Sequence, residues 1–268
     1  MFRTLLLAPS HLDHTDPEDW RMLEDDPTLP GFLRRRLSAL APGEHEVVAA
    51  RMYFGHRMSE VAERAVVETA PDAVVAVVSS ARFEEDYVVN AVRERWPWVY
   101  RASLRLARDS KAAAGGGPYG GIGPRGWLFR LPRKLAIGLI GSRPYIRSET
   151  ALADTKGAID ALCAFGLPLA LVLVPISRVL PNPTAATRVA TFAGALKADC
   201  AARGLRFLHA FEYYKRLGVT GRPARDGIHP DRATREADAE AIAEAIESMR
   251  VAKEGGGAAT GRIATSQL

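Results

Sequence analysis

Two cysteines in 268 residues exclude a disulfide scaffold. Cys163 and Cys200 fall in separate helical stretches without metal-ligand spacing, and read as structural thiols in a reducing compartment. No apolar run approaches the roughly 18–20 residues needed to span a bilayer. The apolar part of the first ten residues, Leu5 to Ala8, is too short for a secretory signal and reads as a strand. A cytoplasmic protein is expected. Extended disorder is excluded in turn, because the 47% of hydrophobic residues are spread evenly along the chain.

Acidic residues are nearly missing from one stretch. Between Arg101 and Arg147 there are ten basic residues and a single acid, Asp109. That is a local +9 against a chain total of +5, so the remainder is net negative at −4. The positive charge therefore belongs to one segment, and a general nucleic-acid-binding role is not expected.

Outside that segment, strand and helix signals alternate. Strands are predicted over Thr4–Pro9, Glu46–Ala50, Ala73–Val78, Leu169–Val174 and Leu205–Ala210. The third is a continuous run rich in valine, the pattern of a strand buried on both faces of a parallel sheet. Helices are predicted over Pro30–Leu40, with Phe32, Leu33, Leu37 and Leu40 on one face, and over Ser59–Thr69. Ser59 is expected to cap the second helix, whose apolar positions are Ala62, Val66 and Val67. Further helices are predicted over Glu84–Trp96, from Glu149 to a stop at Gly166, from Thr184 to a stop at Gly204, and over Arg232–Val251. Five strands separated by helices predict a doubly wound α/β sheet, with ligands beyond the carboxyl ends of the strands. A single domain is expected over residues 1–253, with a basic insertion at about 97–147 and a disordered Gly/Ala/Ser/Thr-rich tail over 254–268.

Ser10 directly follows the first strand, at the edge where a ligand would sit. Asp226-Gly-Ile-His229-Pro lies before the last helix and puts a carboxylate and an imidazole in one short turn. A serine hydroxyl needs such a base, and the base needs a carboxylate to fix its tautomer. The cluster His11, Asp13, His14 and Asp16 is rich in metal ligands but matches no metal motif, so no metal site is assigned. Gly115-Gly-Gly117-Pro-Tyr-Gly120 has the spacing of a dinucleotide loop, yet it follows no strand and contains proline. No cofactor is expected.

Ser10 after strand one, Gly55 after strand two and Asp226-x-x-His229 before the last helix together resemble the SGNH/GDSL hydrolase pattern, over roughly residues 3 to 250. The resemblance implies a flavodoxin-like, three-layer α/β/α fold around a five-stranded parallel sheet. It also implies Ser10 as nucleophile, His229 as base, Asp226 as its orienter, and Gly55 as an oxyanion-hole donor. Two blocks depart from the pattern. Gly-Asp-Ser reads Ala8-Pro9-Ser10, and the block that supplies the oxyanion asparagine reads Ser79-Ser80-Ala81-Arg82. Ser80 and Arg82 are the candidate substitutes there, and Arg82 could instead pair with an anionic substrate. Losing one oxyanion donor costs about 10²–10³ in rate.

Two functional readings stay open. In one, the chain is a serine esterase or O-acyl transferase that acts on a small acyl ester through an acyl-enzyme. In the other, it is an impaired SGNH-fold binding protein whose basic insertion holds an anionic partner. The apolar residues Trp127, Leu128, Phe129 and Leu131 alternate with Arg125, Arg130, Arg133 and Lys134 in that insertion. It could pack structurally, close over an acyl chain, or touch an anionic membrane surface.

Overall fold

A computed structural model of the chain describes residues 1–9, 26, 28–53, 57–80, 86–98, 101, 143–144, 146–174, 183–219 and 231–260. They fall into two compact units, one formed by Met1–Ala81 with Ser148–Leu268 and the other by Arg82–Arg147.

The larger unit is built on a parallel sheet of β1 (Phe2–Ala8), β2 (His45–Arg51), β3 (Ala73–Ser79), β6 (Leu169–Val174) and β7 (Arg206–His209), in the order β2-β1-β3-β6-β7. Every residue of β3 and of β6 is buried, as continuous apolar runs require when both faces of a sheet are covered. β2 and β7 are the edges, and their burial is mixed. In register, Leu6 of β1 pairs with Ala49 on one side and Val75 on the other.

Helices cover both faces. α1 (Leu29–Leu40) packs on α7 (Arg232–Thr260), and α7 reaches β3 and β6. α2 (Met58–Thr69) packs on α4 (Ser148–Cys163), which touches α5 (Pro183–Ala202). The core under α1 and α7 combines Leu6, Val75, Val77 and Val172 with Phe32, Leu33, Leu37, Ile242 and Ile246. This is the expected three-layer, flavodoxin-like α/β/α architecture. Among the described residues, no helix is long and apolar enough to cross a membrane.

The helix stops at Gly166 and Gly204 are as predicted. Both glycines have left-handed backbones, with φ of 65° and 67°, which side chains strongly disfavour. Several expectations need correction. Ser59 does not cap α2: the helix begins at Met58 behind Arg57, whose side chain makes no capping bond. Ser59 lies inside the first turn, facing Gly157 of α4, where a Cβ would stand 3.3 Å from its hydroxyl. Val67 is 71% exposed and Leu40 47%, so each lies outside the buried stripe of its helix. The predicted fifth strand stops at His209, and Ala210 opens a short amphipathic helix, α6 (Ala210–Leu217), that the pattern does not predict. α7 extends through Thr260 and takes in the first residues of the expected tail. Cys200 is buried and Cys163 half-buried, both as free thiols, and burial pushes the Cys200 thiol up to about 11.

In the smaller unit, the helix predicted from Glu84 begins only at Val88, as α3 (Val88–Arg95). Asp86 and Tyr87 form β4 (Asp86–Tyr87) instead, paired antiparallel with β5 (Arg143–Pro144). A partner so distant in sequence leaves no trace in a local pattern. The unit therefore starts earlier than the insertion expected at 97–147.

One buried acid stands apart from this apolar packing. Asp238 on α7 is enclosed, and its Oδ1 accepts a 2.6 Å hydrogen bond from the Tyr214 hydroxyl of α6. Burial pushes its carboxyl from 3.8 up to about 7. With the folded value above the unfolded one, its contribution to stability is full below about pH 4 and is lost as pH rises through 7. Asp238→Asn has no such proton to lose. Its unfolding free energy relative to wild type is expected to rise between pH 4 and pH 8, by at most about 4 kcal/mol, in urea denaturation. A gap that stays constant over that range contradicts a buried neutral Asp238.

Candidate active site

The five parallel strands end at one edge of the sheet, at Ala8, Arg51, Ser79, Val174 and His209. There the chain leaves β1 for α1 on one face, while α4, the helix that leads into β6 on the far side of β3, packs with α2 on the other. Neighbouring strands whose connections run to opposite faces open a crevice at their carboxyl ends. In the order β2-β1-β3-β6-β7 that crevice lies between β1 and β3. Pro9 and Ser80, the residues after these two strands, flank it.

The edge is held by backbone bonds that continue past the strands. The Met52 amide donates to the Ala8 carbonyl at 2.9 Å, and the Ser80 amide donates to the Val174 carbonyl at 3.1 Å. Ser80 is fully buried and Ser79 nearly so. The sheet thus uses the Ser80 amide. Of the other sequence-predicted site residues, Ser10, Gly55, Arg82, Asp226 and His229 lie outside the described residues, as do His11, Asp13, His14 and Asp16 and the basic stretch from Lys111 to Lys134.

The helix termini at this edge are well defined. α1 starts behind Thr28, whose hydroxyl accepts from the Gly31 amide at 3.3 Å and donates to Asp26 at 2.5 Å. α7 runs antiparallel to the strands. Its later turns reach the amino edge of the sheet, where Glu247 lies 3.2 Å from His45 at the start of β2, and Lys253 Nζ lies 2.7 Å from Asp72, just before β3. At 1.5 Å per residue, its first residue is roughly 30 Å back, at the carboxyl edge. Asp231 caps that end: its Oδ1 accepts from the Thr234 amide at 2.9 Å and from the Thr234 hydroxyl at 2.6 Å.

Other groups at this end were not indicated by the sequence pattern. Arg235 is fully buried, with its guanidinium carbon 5.7 Å from the centre of the Phe32 ring. His209 ends β7, and burial holds its imidazole below the ordinary value, against the opposing pull of Glu212. Both follow from placement across elements. The sequence-level signal for Asp238 was its position four residues before Ile242, on the apolar stripe of α7.

No family model matches the chain, and no curated protein matches it. Among solved structures it is similar to an acetylxylan esterase from Geobacillus stearothermophilus, with 12% identity over 91% of this chain and 94% of that one and a TM-score of 0.54. It is also similar to a GDSL-like lipase from Bacteroides thetaiotaomicron, with 13% identity over 92% and 88% of the two chains and a TM-score of 0.47. The lipase/acylhydrolase from Enterococcus faecalis has 16% identity over 92% and 96%, with a TM-score of 0.48. The chain therefore shares the three-layer fold of that acetylxylan esterase.

Asp231→Ala removes the acceptor for two donors at the start of α7 and is expected to lower stability by about 1 kcal/mol in urea denaturation, while Asp231→Ser retains most of it. Equal loss in both variants contradicts the capping role.

Proposed function

We propose that this protein is a serine hydrolase of ester bonds, with Ser10 as nucleophile, His229 as general base and Asp226 as the carboxylate that orients it. The observation that carries the reading is the sheet order, which opens a crevice beside the end of β1, with Ser10 bonded directly to Pro9 at that strand's end. Chain length supports the rest. His229 precedes the capping residue Asp231 by two residues in the sequence, and two residues of chain span at most about 7 Å.

The chemistry follows from those residue types. Ser10 Oγ attacks the ester carbonyl as His229 takes its proton, and the tetrahedral oxyanion forms. Collapse expels the alcohol, which receives the proton from His229, and leaves Ser10 acylated. Water, deprotonated by His229, then attacks the acyl-enzyme and restores Ser10. The oxyanion needs donors in place of the missing asparagine. Gly55, following β2, and Ser80 or Arg82, following β3, are the groups that can supply them. A solved structure with the same fold is named as an acetylxylan esterase, which agrees with a small acyl ester as substrate.

Ser10→Ala and His229→Ala are each expected to lower kcat for short p-nitrophenyl esters by at least about 10³-fold. The double variant should be little worse than either, because residues that act as a unit are not additive. Wild-type activity in Ser10→Ala overturns the assignment. Ala81→Asn, which restores the missing donor type, is expected to raise kcat. An unchanged rate means that Ser80 or Arg82 already serves the oxyanion.

A further inference from the structure

The buried face of α7 is made largely of small side chains. Ala237, Ala239, Ala241, Ala243 and Ala245 are covered, joined by Ile242, Ile246 and Met249. An alanine-rich face packs closely but offers few knobs to lock into its neighbours. Apolar burial therefore fixes the rotation and rise of the helix only weakly. Against this smooth surface stand three buried polar side chains, Thr234, Arg235 and Asp238, all within the first two turns.

Buried polar groups are costly, and well-packed apolar residues in their place are often at least as stable. What polar groups supply is direction, as when one buried asparagine fixes the register of a coiled coil. Here the direction comes from both flanks of α7. Arg235 lies over the ring of Phe32 from α1, and Asp238 accepts the 2.6 Å bond from Tyr214 of α6. The end they pin is the end joined, through Asp231 and Pro230, to the Asp226-x-x-His229 block.

We propose that Tyr214 and Asp238 are positioning residues: their buried hydrogen bond sets the register of α7 and, through it, the working position of His229 in the segment that leads into the helix. For its kinetic consequence this rests on the triad reading above. A helix slipped by one residue advances 1.5 Å and turns by about 100°. A misplacement of about 1 Å in a catalytic group can lower the rate about 10²-fold.

Tyr214→Phe keeps the ring and removes the donor. Asp238→Asn keeps an acceptor for Tyr214. Ile246→Val trims one buried methyl two turns further along and reports what lost stability alone does to the rate. With short p-nitrophenyl esters, Tyr214→Phe is expected to lower kcat about tenfold or more with KM within twofold, while Asp238→Asn and Ile246→Val stay near wild type. The double variant Tyr214→Phe/Asp238→Leu leaves no buried acceptor unpaired and is expected to fold, yet to show the same loss of kcat. The proton NMR titration of the His229 ring, assigned with His229→Gln, reads the placement without catalysis: its midpoint is expected to move in Tyr214→Phe and not in Ile246→Val. An unmoved titration in Tyr214→Phe, or a kcat loss matched by Ile246→Val, overturns the proposal. If wild type hydrolyses no ester, the triad reading fails, and the titration still decides the positioning role.

Discussion

Strand β1 is hydrogen-bonded along both edges and covered on both faces, and the rest of the molecule is arranged around that double engagement. Leu5, Leu6 and Leu7 are wholly excluded from water, and each such side chain contributes roughly 1.5–3 kcal/mol by burial. Because β2 lies on one side and β3 on the other, successive crossovers must go to opposite faces, each right-handed. The crevice at the carboxyl end is a topological by-product of filling both edges of one strand. A residue placed directly after β1 meets that crevice without any further design.

The same economy governs α7. Its C-terminal half is tied to the amino edge of the sheet by ion pairs, Arg250 to Glu44 and Lys253 to Asp72. Such half-exposed pairs give little net stability and guide orientation more than they hold it. The alanine-rich middle supplies close approach to β3 and β6. The N-terminal turns carry the fully buried hydrogen bond from Tyr214 to Asp238 and the capping bonds to Asp231, and those turns adjoin in sequence the block that the hydrolase reading needs.

How much of this was legible in the sequence depended on how local the cause was. β3 and β6 announce themselves because strands buried on both faces leave unbroken apolar runs. Gly166 and Gly204 announce helix ends because few other residues accept a left-handed backbone. The pairing of Asp86–Tyr87 with Arg143–Pro144 depends on a partner far along the chain, and Ala210 turns from strand to helix with no breaker before it. Val67 and Ser59 misled for a shared reason: α4 packs on one side of α2 only, and which side that is does not follow from α2 alone. The buried pair Tyr214–Asp238 was hidden because an acid amid Glu236, Glu240 and Glu244 reads as part of a solvated face. Of the site itself, Ser80 lies among the described residues, and its place after the third strand of the sheet was legible from the valine-rich run that precedes it. The commitment of the Ser80 amide to Val174 was not, since it depends on how far β6 extends beside β3.

The central claim is that Ser10, two residues past the end of β1, is an activated nucleophile. Reaction of the native protein with a fluorophosphonate, followed by peptide mapping in a mass spectrometer, tests it without any knowledge of the natural ester. One covalent adduct on Ser10, absent after denaturation before labelling and strongly reduced in His229→Ala, is the predicted result. A native protein that remains unlabelled at Ser10, or whose labelling is indifferent to His229, contradicts the account.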